Sequence, residues 1–213
     1  MANRPAFCCT ADHKIIRENF EFTWFPGFAV SQKQKSIASL HGAILRMHPG
    51  SKILEISTKS ESASGKKLSA FRLKYRGYFL ENIFQSSKLF EHGGSYQDLL
   101  TVSPKEAKRD PRLRNSGALT GFLWDGIFWG LETRSAFYDF IYLKAVKESL
   151  SAEEMQEIQD YQYFTDIEFN PAKSRNTQAR SVAILRLFLE LYQEIPDFSS
   201  EEFLTFHKKY VLD

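Results

Sequence analysis

Apolar positions recur at helical spacing along much of this chain. Ile37, Leu40 and Ile44 stand at i, i+3 and i+7 and predict a helix over residues 31–47, which Pro49-Gly50 stops. Residues 52–58, with Leu54 and Ile56 on one face, read as a strand. A helix over 80–90 is expected to end at His92-Gly93-Gly94. Ser103-Pro104-Lys105-Glu106 is a capping box with proline at the first helical position, and it opens a short helix ending near Pro111. The glycine-broken aromatic run 119–131, which holds Trp124 and Trp129, reads as a strand or hairpin. Thr133 is a cap for a helix over 134–150, Ser151 and Glu154 box a helix to about 161, and Ser199 with Glu202 opens a last helix over 202–210. Val182, Leu185, Leu189 and Tyr192 give the inner stripe of a helix over 177–194.

Other stretches carry different signals. Residues 164–169, FTDIEF, alternate as a strand with Phe164, Asp166 and Glu168 on one side and Thr165, Ile167 and Phe169 on the other. Two carboxylates on one strand face either both meet water or share a site in which their titrations are coupled. Residues 1–30 read as irregular and aromatic, with Phe20, Phe22, Trp24, Phe25 and Phe28 around Pro26-Gly27. Residues 57–71, STKSESASGKKLSAF, have loop composition. That loop is either solvated and mobile or a phosphate cradle to which Lys59, Lys66 and Lys67 add charge. With no internal repeat and no low-complexity linker, the expectation is one compact α+β domain over 1–213. It is mainly helical with a few short strands, and its core runs from about 53 to 195.

The helix over 80–90 carries the most informative polar pattern. At about 100° per residue, Glu81, Gln85 and Lys88 fall within roughly 60° of one another, and Phe84 and Leu89 border that wedge. A carboxylate, an amide and an ammonium in an apolar frame suit a binding pocket; an internal ion pair or two unrelated surface charges are the other readings.

Composition narrows the chemistry. At 43% hydrophobic and 15% aromatic, 213 residues can build a sizeable core. The 28 Lys and Arg nearly cancel the 26 Asp and Glu, so the net charge of +2 announces no nucleic-acid binder, and any basic surface must be local. Lys105, Lys108, Arg109, Arg112 and Arg114 form one such run, suited to phosphates or to a solvated face. Cys8 and Cys9 are adjacent and fit neither a C-x-x-C zinc site nor a disulfide framework. No secretory signal and no apolar run of membrane-spanning length is apparent, so a soluble cytoplasmic protein is expected. The five histidines are scattered and the standard hydrolase, kinase and dinucleotide motifs are missing, so neither a metal nor a cofactor is expected. What is left is carboxylate and lysine chemistry, which serves reactions through oxocarbenium-like states.

Leu68-Ser69-Ala70-Phe71, then Leu80-Glu81-Asn82-Ile83-Phe84-Gln85 with Lys88-Leu89-Phe90, then Ala107-Lys108-Arg109 with Arg112, resemble in order and spacing the hallmark of the NADAR family. TKSESASGKKLSAF, SPKEAKRDPRL, SGALTGF, AFYDFIYLKA and FTDIEFNPAKSRNTQARS bring it closest to the branch associated with DarT toxins, over residues 53–187. Asn82, Ala70 and Phe140 depart from the broad family, which has His, Asn and Trp there.

The resemblance implies a compact, mainly helical fold and cleavage of N-glycosidic bonds. For this branch it implies an antitoxin that removes ADP-ribose from guanine bases of DNA, opposing a DarT-type ADP-ribosyltransferase encoded nearby. Glu81 matches the catalytic glutamate and Lys88 a catalytic lysine, with Asp166 and Glu168 competing for a further acidic role. Ser69, Phe71, Gln85, Lys108, Arg109, Arg112, Trp129, Tyr138, Asp139, Asn170, Lys173 and Asn176 are the expected substrate contacts. A monomer is expected. A hydrolase of small riboflavin-pathway N-glycosides and a non-catalytic binder of toxin or modified DNA are the alternative functions.

Overall fold

Helices carry more of the chain than short strands do in the computed structural model, which describes residues 1–132, 135–172, 174 and 177–212. The fold is α+β. In chain order the first elements are β1 (Ala2–Cys9), β2 (Ile15–Phe22), α1 (Val30–Met47), β3 (Ile53–Glu55), α2 (Ala63–Lys67), β4 (Lys74–Tyr75), β5 (Tyr78–Phe79), α3 (Leu80–Ser86), β6 (Lys88–Phe90) and β7 (Gly93–Gly94). After a 3-10 turn (Gln97–Leu100) come α4 (Pro104–Arg109), α5 (Arg112–Asn115), β8 (Leu119–Trp124), β9 (Ile127–Trp129), α6 (Ala136–Ser149), α7 (Ala152–Ile158), β10 (Tyr163–Thr165), α8 (Gln178–Tyr192) and α9 (Ser200–Tyr210). Among the described residues, no helix is long and apolar enough to cross a membrane. The chain gathers into two units, residues 1–69 with 150 onward and residues 70–149.

The first unit is built on a sheet of order β2-β1-β10-β3, in which β1 runs antiparallel to β2 and β10, and β10 parallel to β3. Ala6 and Cys8 on β1 pack with Ile37, Leu40 and Ile44 of α1, while Phe7 pairs with Phe164 on the opposite face, where α8 lies against β1 and β10. Of the N-terminal thirty residues, 2–22 are therefore a hairpin and not an irregular segment, whereas 23–29 do lack regular structure. Burial on both faces erases the alternation that would have marked β1 in the sequence. Pro5 is tolerated because it pairs with Asn19 alone, outside the Ala6–Cys8 stretch that β10 covers. Three capping boxes form as the sequence predicts, at Ser103, Ser151 and Ser199. The predicted cap Thr133 lies outside the described residues.

In the second unit a sheet of order β7-β6-β8-β9 and helices α3 and α6 share a ladder of rings. Phe84 stacks on Phe122 at 5.4 Å between centroids, Phe122 on Phe137 at 4.8 Å, and Trp129 tilts against Phe140 at 4.8 Å. Asp125-Gly126, both at positive φ, close the β8–β9 hairpin in the manner of a type I′ turn.

Several predicted elements end early, two of them for a local reason. The expected helix over 80–90 stops at Ser86, because the hydroxyls of Ser86 and Ser87 donate to the Ile83 carbonyl at 3.1 and 2.7 Å and compete with the helical ladder. Lys88 therefore begins a strand. The expected strand over 164–169 stops at Thr165, since the Asp166 carboxylate accepts the N–H groups of Glu168 and Phe169 and turns the chain. Strand β3 spans only Ile53–Glu55, and the loop-like 57–71 contains helix α2, capped by Ser62 accepting from the Gly65 N–H.

A Cβ placed on Gly65 would lie 2.1 Å from the Glu55 carbonyl oxygen and 2.4 Å from Ser60 Oγ. A Cβ on Gly42, in α1, would meet only the end of Arg46 at 3.8 Å. Gly65→Ala is therefore expected to lower stability by about 1–3 kcal/mol, and Gly42→Ala to raise it by about 0.5–1 kcal/mol, both read from urea midpoints.

Candidate functional site

The polar wedge read from the sequence is present as a hydrogen-bonded relay in the second unit. Glu81 and Gln85 lie one turn apart on α3, both buried, and Gln85 Nε2 donates to Glu81 Oε1 at 2.8 Å. The other end of the same amide accepts from Lys88 Nζ at 2.7 Å. Lys88 reaches it from the first position of β6, where it pairs with Phe122 of β8. The tight β6–β7 pairing that fixes Lys88 requires glycine at position 94, since a Cβ there would lie 2.5 Å from the Lys88 carbonyl oxygen. Lys88 Nζ also sits 4.9 Å from the centre of the Phe84 ring.

Burial pushes the Lys88 ammonium down to about 8, with Lys108 adding to the effect and the Glu81 charge opposing it. Close to neutral pH this amine exchanges its proton far more readily than a solvated lysine. Lys108 closes the other end of the relay, its Nζ 3.6 Å from Glu81 Oε1 and 5.1 Å from the Phe71 ring centre.

The remaining candidates of this unit divide into exposed cations and core. Arg109 is exposed on α4. Arg112 does not offer its charge freely: its guanidinium donates to both carboxylate oxygens of Asp110 and to Asp98, which makes it a brace of the 98–112 segment. Trp129 is 3% exposed, with its ring in the aromatic core, and Tyr138 meets Phe84 edge-on at 5.1 Å. Both were expected to contact the substrate; both are buried in the aromatic core. Asp139 is fully buried on α6. Asn82, where the broad family has histidine, donates from Nδ2 to the carbonyls of Leu99 at 2.6 Å and Val102 at 2.7 Å.

The first unit holds a second polar cluster. Asp166 and Glu168 do not share a strand face: Asp166 is buried, and Glu168 is exposed. Besides the two backbone N–H groups, Asp166 accepts from Gln178 Nε2 at 3.1 Å. Burial, and then the neighbouring Glu55, push its carboxyl up to about 7.

Glu55 was not singled out in the sequence, although a lone carboxylate inside the apolar run ILEI was a signal for it. It is buried on β3, accepts from Thr165 Oγ1 at 2.6 Å and from the Ile167 N–H at 2.8 Å, and is itself raised, chiefly by burial. The Thr165 hydroxyl, having donated to Glu55, accepts from His41 Nε2 at 2.9 Å, and burial holds that imidazole down at about 4 and so neutral. Ser69 is buried at the end of the 57–71 segment, and its N–H donates to the Lys66 carbonyl. Asn170 turns the chain by accepting from the Ala172 N–H at 3.0 Å. Lys173 and Asn176 lie outside the described residues.

The raised Asp166 has a consequence for stability. An acid held above its ordinary value binds a proton more tightly folded than unfolded, so its penalty is absent below about pH 3.8 and grows as pH rises through about 7. Urea midpoints measured across this window should fall for the wild type, and Asp166→Asn should flatten the decline by on the order of 1–3 kcal/mol.

Comparison with known proteins places these two clusters in context. No curated protein matches the chain. A family model described as the DarT1-associated NADAR antitoxin matches residues 2–212, including the segments that carry Glu55, Glu81, Gln85, Lys88, Lys108 and Asp166. With the match extending over almost its whole length, the chain belongs to the DarT1-associated NADAR antitoxin family.

Proposed function

We propose that the protein is an N-glycosidic hydrolase that removes ADP-ribose from guanine bases of DNA and so acts as antitoxin to a DarT-type toxin. The observation that carries this reading is the buried relay of Glu81, Gln85 and Lys88, found in a chain of an antitoxin family named for its association with DarT1. The relay combines a carboxylate with an amine that loses its proton near pH 8, and these are the two groups needed to open a sugar–nitrogen bond.

The desolvated amine favours covalent catalysis over direct attack by water. In this mechanism the C1″–O4″ bond of the ribose breaks as O4″ takes up a proton delivered through Glu81, leaving an iminium between C1″ and the guanine nitrogen. The neutral Lys88 amine adds to that carbon, a proton passes from the lysine nitrogen to the guanine nitrogen, and the base leaves as the C–N bond breaks. The resulting lysine Schiff base is hydrolysed by one water to give ADP-ribose and the free amine. Glu81 shuttles the protons, and Gln85 keeps carboxylate and amine apart at a fixed spacing. Lys108 and Arg109 supply positive charge for the diphosphate, whereas Arg112 is committed to Asp98 and Asp110.

Purified protein is expected to release ADP-ribose from ADP-ribosylated guanine DNA, and borohydride added during turnover should leave a sugar adduct on Lys88 detectable by mass spectrometry. Lys88→Met should lose both adduct and turnover, and Glu81→Gln should slow turnover by about 10²–10⁴-fold. Single-turnover rates should rise with pH through about 8, as the neutral amine accumulates. Turnover without an adduct would redirect the mechanism to water attack assisted by Glu81; unchanged modified DNA would overturn the hydrolase reading.

A further inference from the structure

Far along the sequence from the relay, the turn between β1 and β2 brings together three side chains that the proposed reaction does not use. Cys9 closes β1, His13 lies in the turn, and Glu190 lies in the last turns of α8. One potential ligand atom from each, a sulfur, an imidazole nitrogen and a carboxylate oxygen, lies within 4.8 Å of the others. We infer that Cys9, His13 and Glu190 form a binding site for a borderline divalent transition metal, of which zinc is the type, tying the β1–β2 turn to α8.

His13 Nδ1 is buried at the atomic level and has no hydrogen-bond partner, an unusual state for an imidazole nitrogen beside a carboxylate. It faces Glu190 Oε1 at 3.5 Å, longer than a good hydrogen bond. Two ligands each about 2.1 Å from a tetrahedral zinc lie roughly 3.4 Å from each other, which this separation matches.

The backbone around the site is also committed. His13 adopts a left-handed φ of 59°, and the turn that holds it is closed by the Thr10 N–H donating to the Lys14 carbonyl at 2.8 Å and by the Lys14 N–H donating to Thr10 Oγ1 at 3.0 Å. On the other side, Arg186 Nη1 donates to Glu190 Oε2 at 2.9 Å, which leaves Oε1 directed at His13 and orients the carboxylate as an outer-shell partner does.

A Cys9 thiolate and the Glu190 carboxylate carry two negative charges, which neutralise one divalent ion, while neutral His13 adds the nitrogen that favours zinc, cobalt or nickel over magnesium or calcium. On binding, the Cys9 thiol gives its proton to solvent and a metal–sulfur bond forms, with no change in oxidation state. Glu190 and Arg186 also line a cleft of about 630 Å³ between α7 and α8, so the carboxylate side of the site opens to solvent. The inference does not depend on the hydrolase reading.

Cobalt(II) is the probe, titrated into the purified full chain under reducing conditions. One equivalent should produce a thiolate-to-cobalt charge-transfer band together with the intense visible bands of four-coordinate cobalt, and zinc should displace it. Cys9→Ser should abolish the charge-transfer band, while His13→Ala and Glu190→Gln should weaken binding by at least about tenfold. Cys8→Ser, altered at the buried neighbouring cysteine, should keep the band. Zinc should raise the melting temperature of the wild type but not of the three ligand variants, whose metal-free melting curves establish that they fold. A band absent from the wild type, persisting in Cys9→Ser, or lost in Cys8→Ser alone overturns the site. A zinc-induced rise in melting temperature equal in wild type and ligand variants also overturns it.

Discussion

The amide of Gln85 separates a carboxylate from an ammonium, and the chemistry of the second unit rests on that separation. Had Glu81 and Lys88 met directly, their attraction would have held the lysine charged. With a neutral group between them, burial against Phe84 outweighs the more distant carboxylate and the amine is driven toward its neutral form. The distance is set by backbone geometry: one helical turn from Glu81 to Gln85, then the abrupt change from helix to strand after Ser86. A helix continued to Phe90 would have placed Lys88 on the same surface, but without the β6–β8 pairing that now fixes its backbone.

The first unit uses the same physics with the opposite sign of charge. Asp166 and Glu55 are carboxyls taken out of water; burial raises both, and the charge of Glu55 makes the ionisation of Asp166 harder still. They differ in what satisfies them. Glu55 is held by a hydroxyl and a backbone N–H, with His41 behind the hydroxyl, whereas Asp166 organises the turn that ends its own strand. A group that both shapes the backbone and titrates near neutrality couples local structure to protonation.

Much of this was readable from the chain because it is local. The boxes at Ser103, Ser151 and Ser199 depend on residues three apart, and each formed where the spacing put it. The Glu81–Gln85–Lys88 grouping was also legible, since both helical periodicity and the observed helix-to-strand break keep the three together. What failed to show depended on packing partners remote in the sequence, or on side-chain contacts that hydrophobic alternation does not encode. Strand β1 looks irregular until α1 and α8 cover its two faces. The 164–169 segment alternates like a strand, yet the side chain of Asp166 captures the backbone that would have continued it. Glu55 was passed over because its importance comes from Thr165 and Ile167, more than a hundred positions away, and the partners of Arg112 likewise decide that it braces the chain rather than waiting for a ligand.

Asn82 shows how narrow the choices at a buried polar position are. Its two amide hydrogens hold the carbonyls of Leu99 and Val102 at once, so a single side chain on α3 pins both ends of the stretch that leads into α4. A hydroxyl or a neutral imidazole has one hydrogen to give, and the two of an imidazolium diverge, so none of them can grip the same pair. The cation that α4 carries toward Glu81 therefore arrives already ordered, and a bound anion is spared the entropy of arranging that segment for itself.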